Sequence, residues 1–139
     1  MKIKLSEIVG IHLACKNDTL GAMEGVYWGM FLAENELATA DKFNAYVKTE
    51  QTSLGPFYKE RTAYLETFTA DENGLYHLEG DDLAGLNKIV ENHKHVLEEV
   101  EALLNEEHEI ELSTIHLSQL PSELKRDQIR PIARLIRKE

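Results

Sequence analysis

Two short stretches, far apart in the chain, alternate polar and apolar residues in the manner of a half-buried strand. In residues 2–5 Ile3 and Leu5 lie on one side, and in residues 108–112 Ile110 and Leu112 do. Lys2 and Lys4 are opposite in sign to Glu109 and Glu111, so the two stretches are predicted to pair. Parallel and antiparallel registers both bring opposite charges together, and the direction stays open. Beyond Leu112 the apolar phase slips by one residue to Ile115 and Leu117, which predicts a bulge or bend at Ser113-Thr114.

The rest of the chain keeps to helical spacing. Ser6 is a favoured N-cap ahead of Ile8, Val9, His12 and Leu13, and predicts a first helix ending near Asn17. A second pattern starts at residues 19–22 and runs through Val26, Met30, Ala33, Leu37 and Ala40, with Tyr27, Trp28 and Phe31 read as core. On an adjacent face Gly21, Gly25, Gly29 and Ala33 recur every four residues. Each glycine costs about 1 kcal/mol relative to alanine in a helix. The stripe therefore predicts a compensating close approach, either a tight crossing inside the fold or a homodimer seam.

Residues 41–68 keep three-and-four spacing through Phe43, Val47, Leu54, Phe57, Tyr64 and Phe68. A kink or a helix-loop-helix break is expected at Gly55-Pro56, because proline lacks a backbone donor and disfavours a helical residue before it. Asp71-Glu72-Asn73-Gly74 reads as a turn, and residues 75–78 as an edge strand or an ordered loop. The clearest element is capped by Asp81 or Asp82. Leu83, Leu86, Val90, His93, Leu97, Val100 and Leu104 step by three and four, and Ile89, Val96 and Leu103 widen the seam. This predicts one amphipathic helix of about 33 Å, better suited to a bundle within one chain than to a coiled coil between chains. Pro121 then breaks the chain, and Pro131 falls in the first turn of a last helix ending at Arg137.

Composition adds limits. With 139 residues, 42% hydrophobic and 29% charged, the chain can build one core without metal or disulfide staples. Its one cysteine, Cys15, has no internal bridging partner, which fits a reducing compartment. No apolar leader opens it, and its longest apolar run, residues 25–33, is far short of the roughly 20 residues of a membrane span. An intracellular chain without membrane contact is expected.

Fifteen basic against 25 acidic residues leave a net charge of −10, which repels phosphate backbones and disfavours nonspecific nucleic-acid binding. The charge is uneven. Residues 71–112 hold 13 acids against Lys88 and Lys94, whereas in residues 125–139 six bases stand against Asp127 and Glu139. An acidic helix and a basic terminal helix can attract each other within the fold. Alternatively Arg126, Arg130, Arg134 and Arg137, spaced four, four and three, form one face of a partner-binding arm.

Catalytic signatures are weak throughout. His93 and His95 project to different sides of a regular helix and so do not chelate one ion. His77-Leu78-Glu79 matches one half of the zinc-deaminase motif, but the cysteine pair of the other half is absent. Gly21, Gly25 and Gly29 are not followed by the Gly-Lys-Ser/Thr of a phosphate-binding loop. His12 and Cys15 lie one turn apart without a third, orienting group. The expectation is a protein that is not an enzyme and takes no cofactor and no metal.

The opening Met1-Lys2-Ile3-Lys4-Leu5-Ser6-Glu7-Ile8, the stretch Phe57-Tyr58-Lys59-Glu60-Arg61-Thr62-Ala63-Tyr64-Leu65, and the Asp71-Glu72-Asn73-Gly74 turn carry a resemblance. So does the run Leu103-Leu104-Asn105-Glu106-Glu107 leading into Ile110-Glu111-Leu112 and Ile115-His116-Leu117-Ser118-Gln119-Leu120. Together these resemble a group of small acidic proteins from tailed bacteriophages and prophages. The likeness covers most of the chain in order. It departs at the glycine-rich stretch 21–33 and at Gly55-Pro56, and its motifs carry no chemistry, so no functional residue is carried over. It implies a phage genome expressed in the cytoplasm of a bacterial host.

The expected architecture is mainly α, with four or five helices and a small two-stranded β pairing of N-terminal and C-terminal segments. Residues 1–139 would form a single domain, with 121–139 as a peripheral basic helix. The expected function is that of a noncatalytic binding protein acting on a host or phage macromolecule, such as an inhibitor of host transcription or defence. The alternative is a virion or assembly component that acts by self-association, including homodimerisation.

Overall fold

The computed structural model describes residues 1–139, and Ile3 explains how its N-terminus is anchored. Buried between two exposed lysines, Ile3 centres β1 (Lys2–Lys4), which pairs antiparallel with β2 (Glu107–Glu109). The register sets Lys2 opposite Glu109, Ile3 opposite His108 and Lys4 opposite Glu107, so the segments pair with opposite charges facing, as their alternation predicts. The match is shorter than expected. Leu5 already belongs to α1 (Leu5–Lys16), and Glu111 lies beyond the ladder. Lys4, not Ser6, is the N-cap of α1, and its N–H donates to the Glu7 carboxylate at 3.4 Å.

The helix ends at Asn17, where the sequence places it. The Asn17 side chain accepts the Leu20 N–H at 3.1 Å and so caps the one-turn α2 (Asp18–Gly21). Here the structure departs from the sequence reading, because the chain turns at residues 22–25 before α3 (Val26–Leu65) begins. Gly25 holds φ of +139°, a conformation that side chains disfavour, and Trp28 Nε1–H ties α3 back to the Leu20 carbonyl at 2.9 Å. Gly21, Gly25 and Gly29 therefore do not lie on one helix. A Cβ at Gly21 or Gly29 would meet no atom within 4 Å, so neither serves a close crossing inside the fold.

Of the kink or helix-loop-helix break expected at Gly55-Pro56, the loop does not form, and α3 continues as helix through Pro56. Pro56 forgoes one backbone hydrogen bond. Gly55, without a Cβ, removes part of the steric clash that usually keeps the residue before proline out of a helix, and buried Leu54 and Phe57 fix the segment on either side.

Contact density divides the chain into two compact units, residues 1–46 with 104–139 and residues 47–103. In the second, Asp71 closes the predicted turn: its carboxylate accepts the Asn73 and Leu75 N–H groups at 2.8 and 2.9 Å, and Gly74 takes φ of +78°. Residues 75–78 form no strand. The amphipathic segment is two helices, α4 (Gly80–Asn92) and α5 (Lys94–Asn105), separated at His93, and Glu79 caps the first in place of Asp81 or Asp82. His93 Nε2 lies 2.7 Å from Glu60 Oε2, and its ring tilts against Phe57. These contacts hold the residue in the seam where its spacing places it. A Cβ at Gly85 would run into the Tyr64 hydroxyl, which donates to the Asp82 carbonyl at 2.6 Å, so a larger residue here would displace that ring end.

The first unit contains the largest correction. After β2 residues 110–114 take no regular structure, and the chain then forms β3 (Ile115–His116), which pairs in parallel with β4 (Ile136–Arg137). Between them lie a 3₁₀ turn (Leu117–Gln119), the one-turn α6 (Arg126–Ile129) and a second 3₁₀ segment (Arg130–Leu135). Residues 121–139 are thus not a peripheral helix. Ile132 and Leu135 are fully buried, and the segment packs on α1 as part of the core. The fold as a whole is mainly α, with six helices and two small two-stranded sheets. No helix is long and apolar enough to cross a membrane.

Candidate functional site

The early part of α3 has two faces, and the sequence pattern points to the wrong one. Trp28, Phe31, Leu32, Asn35 and Thr39, at i, i+3, i+4, i+7 and i+11, are buried. The more conspicuous stripe of Val26, Met30, Ala33 and Leu37 faces outward. Relative exposures of 78% for Val26, 64% for Tyr27, 55% for Met30 and 80% for Leu37 mark these residues as surface, and correct Tyr27 from core to exterior.

Two polar side chains hold the helix in this orientation. Asn35 is fully buried; its amide donates to the Ser113 carbonyl at 3.0 Å and its oxygen accepts the Ser113 N–H at 2.8 Å. It thereby satisfies both backbone groups of the residue at which the strand phase breaks. The Thr39 hydroxyl donates to the Asn35 carbonyl at 2.7 Å, which leaves its oxygen to accept from His12 Nδ1–H at 2.9 Å. His12 also stacks on Phe43, with ring centroids 4.1 Å apart.

Grooves flank the exposed stripe. On one side Tyr27, Met30 and Glu34 border a space of about 270 Å³ with Thr114, Gln119 and Arg137. On the other, Ala33, Leu37 and Ala40 border one of about 480 Å³ with His12, Lys16 and Glu36. The electrostatics are one-sided. Between Lys16 and Lys42 the sequence holds Asp18, Glu24, Glu34, Glu36 and Asp41 and no base. The Glu34 carboxylate accepts the Ser113 hydroxyl proton in a short hydrogen bond.

The arginines predicted to form an arm are dispersed. Arg126 and Arg130 share a shallow groove with Ile129 and Ala133, and Arg130 lies 4.0 Å from Asp127. Arg134 sits in the 3₁₀ segment 3.2 Å from Glu7, and Arg137 is in β4 opposite His116. A spacing of four, four and three makes one face only on a continuous α-helix, and this segment is not one.

Burial, and secondarily Glu36, push the Cys15 thiol up to about 12, so at neutral pH it is a protonated core side chain and a poor nucleophile. Burial lowers the His12 pKa below 6.5 against the opposing pull of Glu36. The unfolded imidazole binds a proton more readily than the folded one. Stability from this group is therefore fully present above about pH 6.5 and declines as pH falls toward the folded-state value. Urea midpoints at about pH 7.5 and 5 should fall further for the native chain than for His12→Gln; equal losses would remove His12 as the cause.

His95 and Glu99 form an exposed pair at 2.8 Å, while His93 is engaged by Glu60. No group of three or more His, Cys, Asp or Glu side chains is placed to hold a metal ion. No protein-family model, curated protein or solved structure matches the chain.

Proposed function

We propose that this is a noncatalytic binding protein that docks a protein partner on the outward face of α3. The observation that carries this reading is the open stripe of Val26, Tyr27, Met30 and Leu37. All four side chains are more than half exposed along one stretch of helix, and clustered exposed apolar residues of this kind often mark interaction sites. The neighbouring Asn35, Thr39 and His12 bonds lock the helix so that this face stays out. The likeness to small phage proteins supports a setting in the cytoplasm of an infected bacterium, with a host or phage protein as the partner. The basic tail supports the role of binding arm less well, because Ile132 and Leu135 belong to the core and its four arginines do not form one face.

Affinity capture from a bacterial lysate tests this reading when three chains are compared. Native protein and Arg130→Glu/Arg134→Glu should retain the same stoichiometric partner, and Met30→Glu/Leu37→Glu should lose it while keeping its fold by circular dichroism. Retention by the α3 variant with loss by the tail variant would move the site to the tail. Self-association is the second reading, favoured by Gly29 and Ala33, whose exposure on the same face would permit a second helix to approach closely.

A further inference from the structure

We infer that the occupant of the α3 face is a basic amphipathic helix of another protein, an assignment that rests on the docking reading above. The stripe from Val26 to Leu37 spans about 17 Å of helix axis, enough to receive anchors that a partner helix presents at i, i+3/i+4 and i+7 over about 10 Å. Its two flanking grooves give such anchors somewhere to go. The border then selects the charge. Glu34 and Asp41 are exposed on the stripe's own edge, Glu24 precedes it and Glu36 lines one groove, whereas Lys16 and Arg137 are the bases at its corners. A helix carrying Lys and Arg beside its apolar anchors meets this border with complementary charge, and it approaches a molecule whose net charge of −10 draws it in.

A second copy of this chain fits less well. It would bring another −10 against the first.

The test uses the full chain and three fluorescent helical peptides of about 15 residues, crosslinked to hold the helix. One places Leu at i, i+4 and i+7 with Lys on both flanks, one replaces each Lys by Glu, and one keeps the Lys residues but scrambles the apolar positions. Anisotropy at about 50 mM salt should show saturable binding of the first peptide only. Affinity should fall about tenfold for Glu34→Gln/Asp41→Asn, which preserves shape and the Ser113 bond, and similarly as salt is raised. Leu37→Glu should abolish binding, with an unchanged melting temperature confirming the fold. Equal binding of the scrambled peptide, preference for the Glu peptide, or indifference to the α3 substitutions would overturn the inference. So would a stable dimer in light scattering that Leu37→Glu dissociates. If the lysate partner is still lost with Met30→Glu/Leu37→Glu while the basic peptide fails to bind, only the occupant's chemistry is wrong and the docking reading stands.

Discussion

Replacing Ile132 by alanine is expected to lower stability by about 2–5 kcal/mol, the range for truncating a buried aliphatic side chain in a site that cannot collapse. Ile132 is fully buried, as is Leu135 three residues on, and the 3₁₀ segment that carries them packs against α1. The same segment carries Arg130 and Arg134 on its outside, where ion pairs with Asp127 and Glu7 contribute at most about 1 kcal/mol each. Urea unfolding followed by circular dichroism separates the two roles. Ile132→Ala should shift the midpoint strongly and Arg130→Glu should barely move it. A small effect of Ile132→Ala would return residues 121–139 to the periphery and restore the arm.

Asn35→Ala is expected to cost about 2–4 kcal/mol. The substitution removes two hydrogen bonds at once and strands the N–H and C=O of Ser113. It also leaves a void beneath a helix that is otherwise tied at this point by Thr39. The amide proton of Ser113 should exchange with solvent far faster in the variant, which links the loss to this contact and not to general loosening. A stability change under about 0.5 kcal/mol would show that the orientation of α3 does not depend on Asn35.

The same residue shows why part of the fold was legible in the sequence and part was not. β1 and β2 could be matched because alternation and charge act locally on both strands, and α1 ended where the Asn17 side chain could cap α2. The breaks at Asn17 and at 110–114, the Asp71 turn and the amphipathic spacing of α4 and α5 are likewise local signals. The face of α3 is not. Its buried side holds Asn35 and Thr39, which look like surface residues until Ser113 and His12 supply their partners across the fold. Its exposed side holds Val26, Met30 and Leu37, which look like core. Spacing alone cannot rank a polar stripe with distant partners above an apolar one. A signal was available in Trp28, Phe31 and Leu32, whose phase matches the buried face, and in the absence of Lys and Arg between Lys16 and Lys42, which is unusual for the outside of a helix.

The tail failed for a related reason. Arginines at spacings of four, four and three define a face only if the helix is continuous, and Pro131 with the buried Ile132 and Leu135 turns the segment into 3₁₀ and then β4. At Gly55-Pro56 only the loop alternative failed: the helix runs on through the proline, with Leu54 and Phe57 buried beside it. At His93 a seam that looked unbroken contains a break, held by Glu60 from α3. Each case is a contact between distant residues overriding a local preference.

Hydroxyl-radical footprinting of the full chain, alone and saturated with the protein it captures, tests the central claim most directly because it reads side chains one by one. Tyr27, Met30 and Leu37 should oxidise readily in the free chain and become protected together in the complex, while Leu117, Arg126 and Arg130 keep their reactivity. Protection confined to residues 121–139, with Tyr27, Met30 and Leu37 still oxidised, would contradict the account.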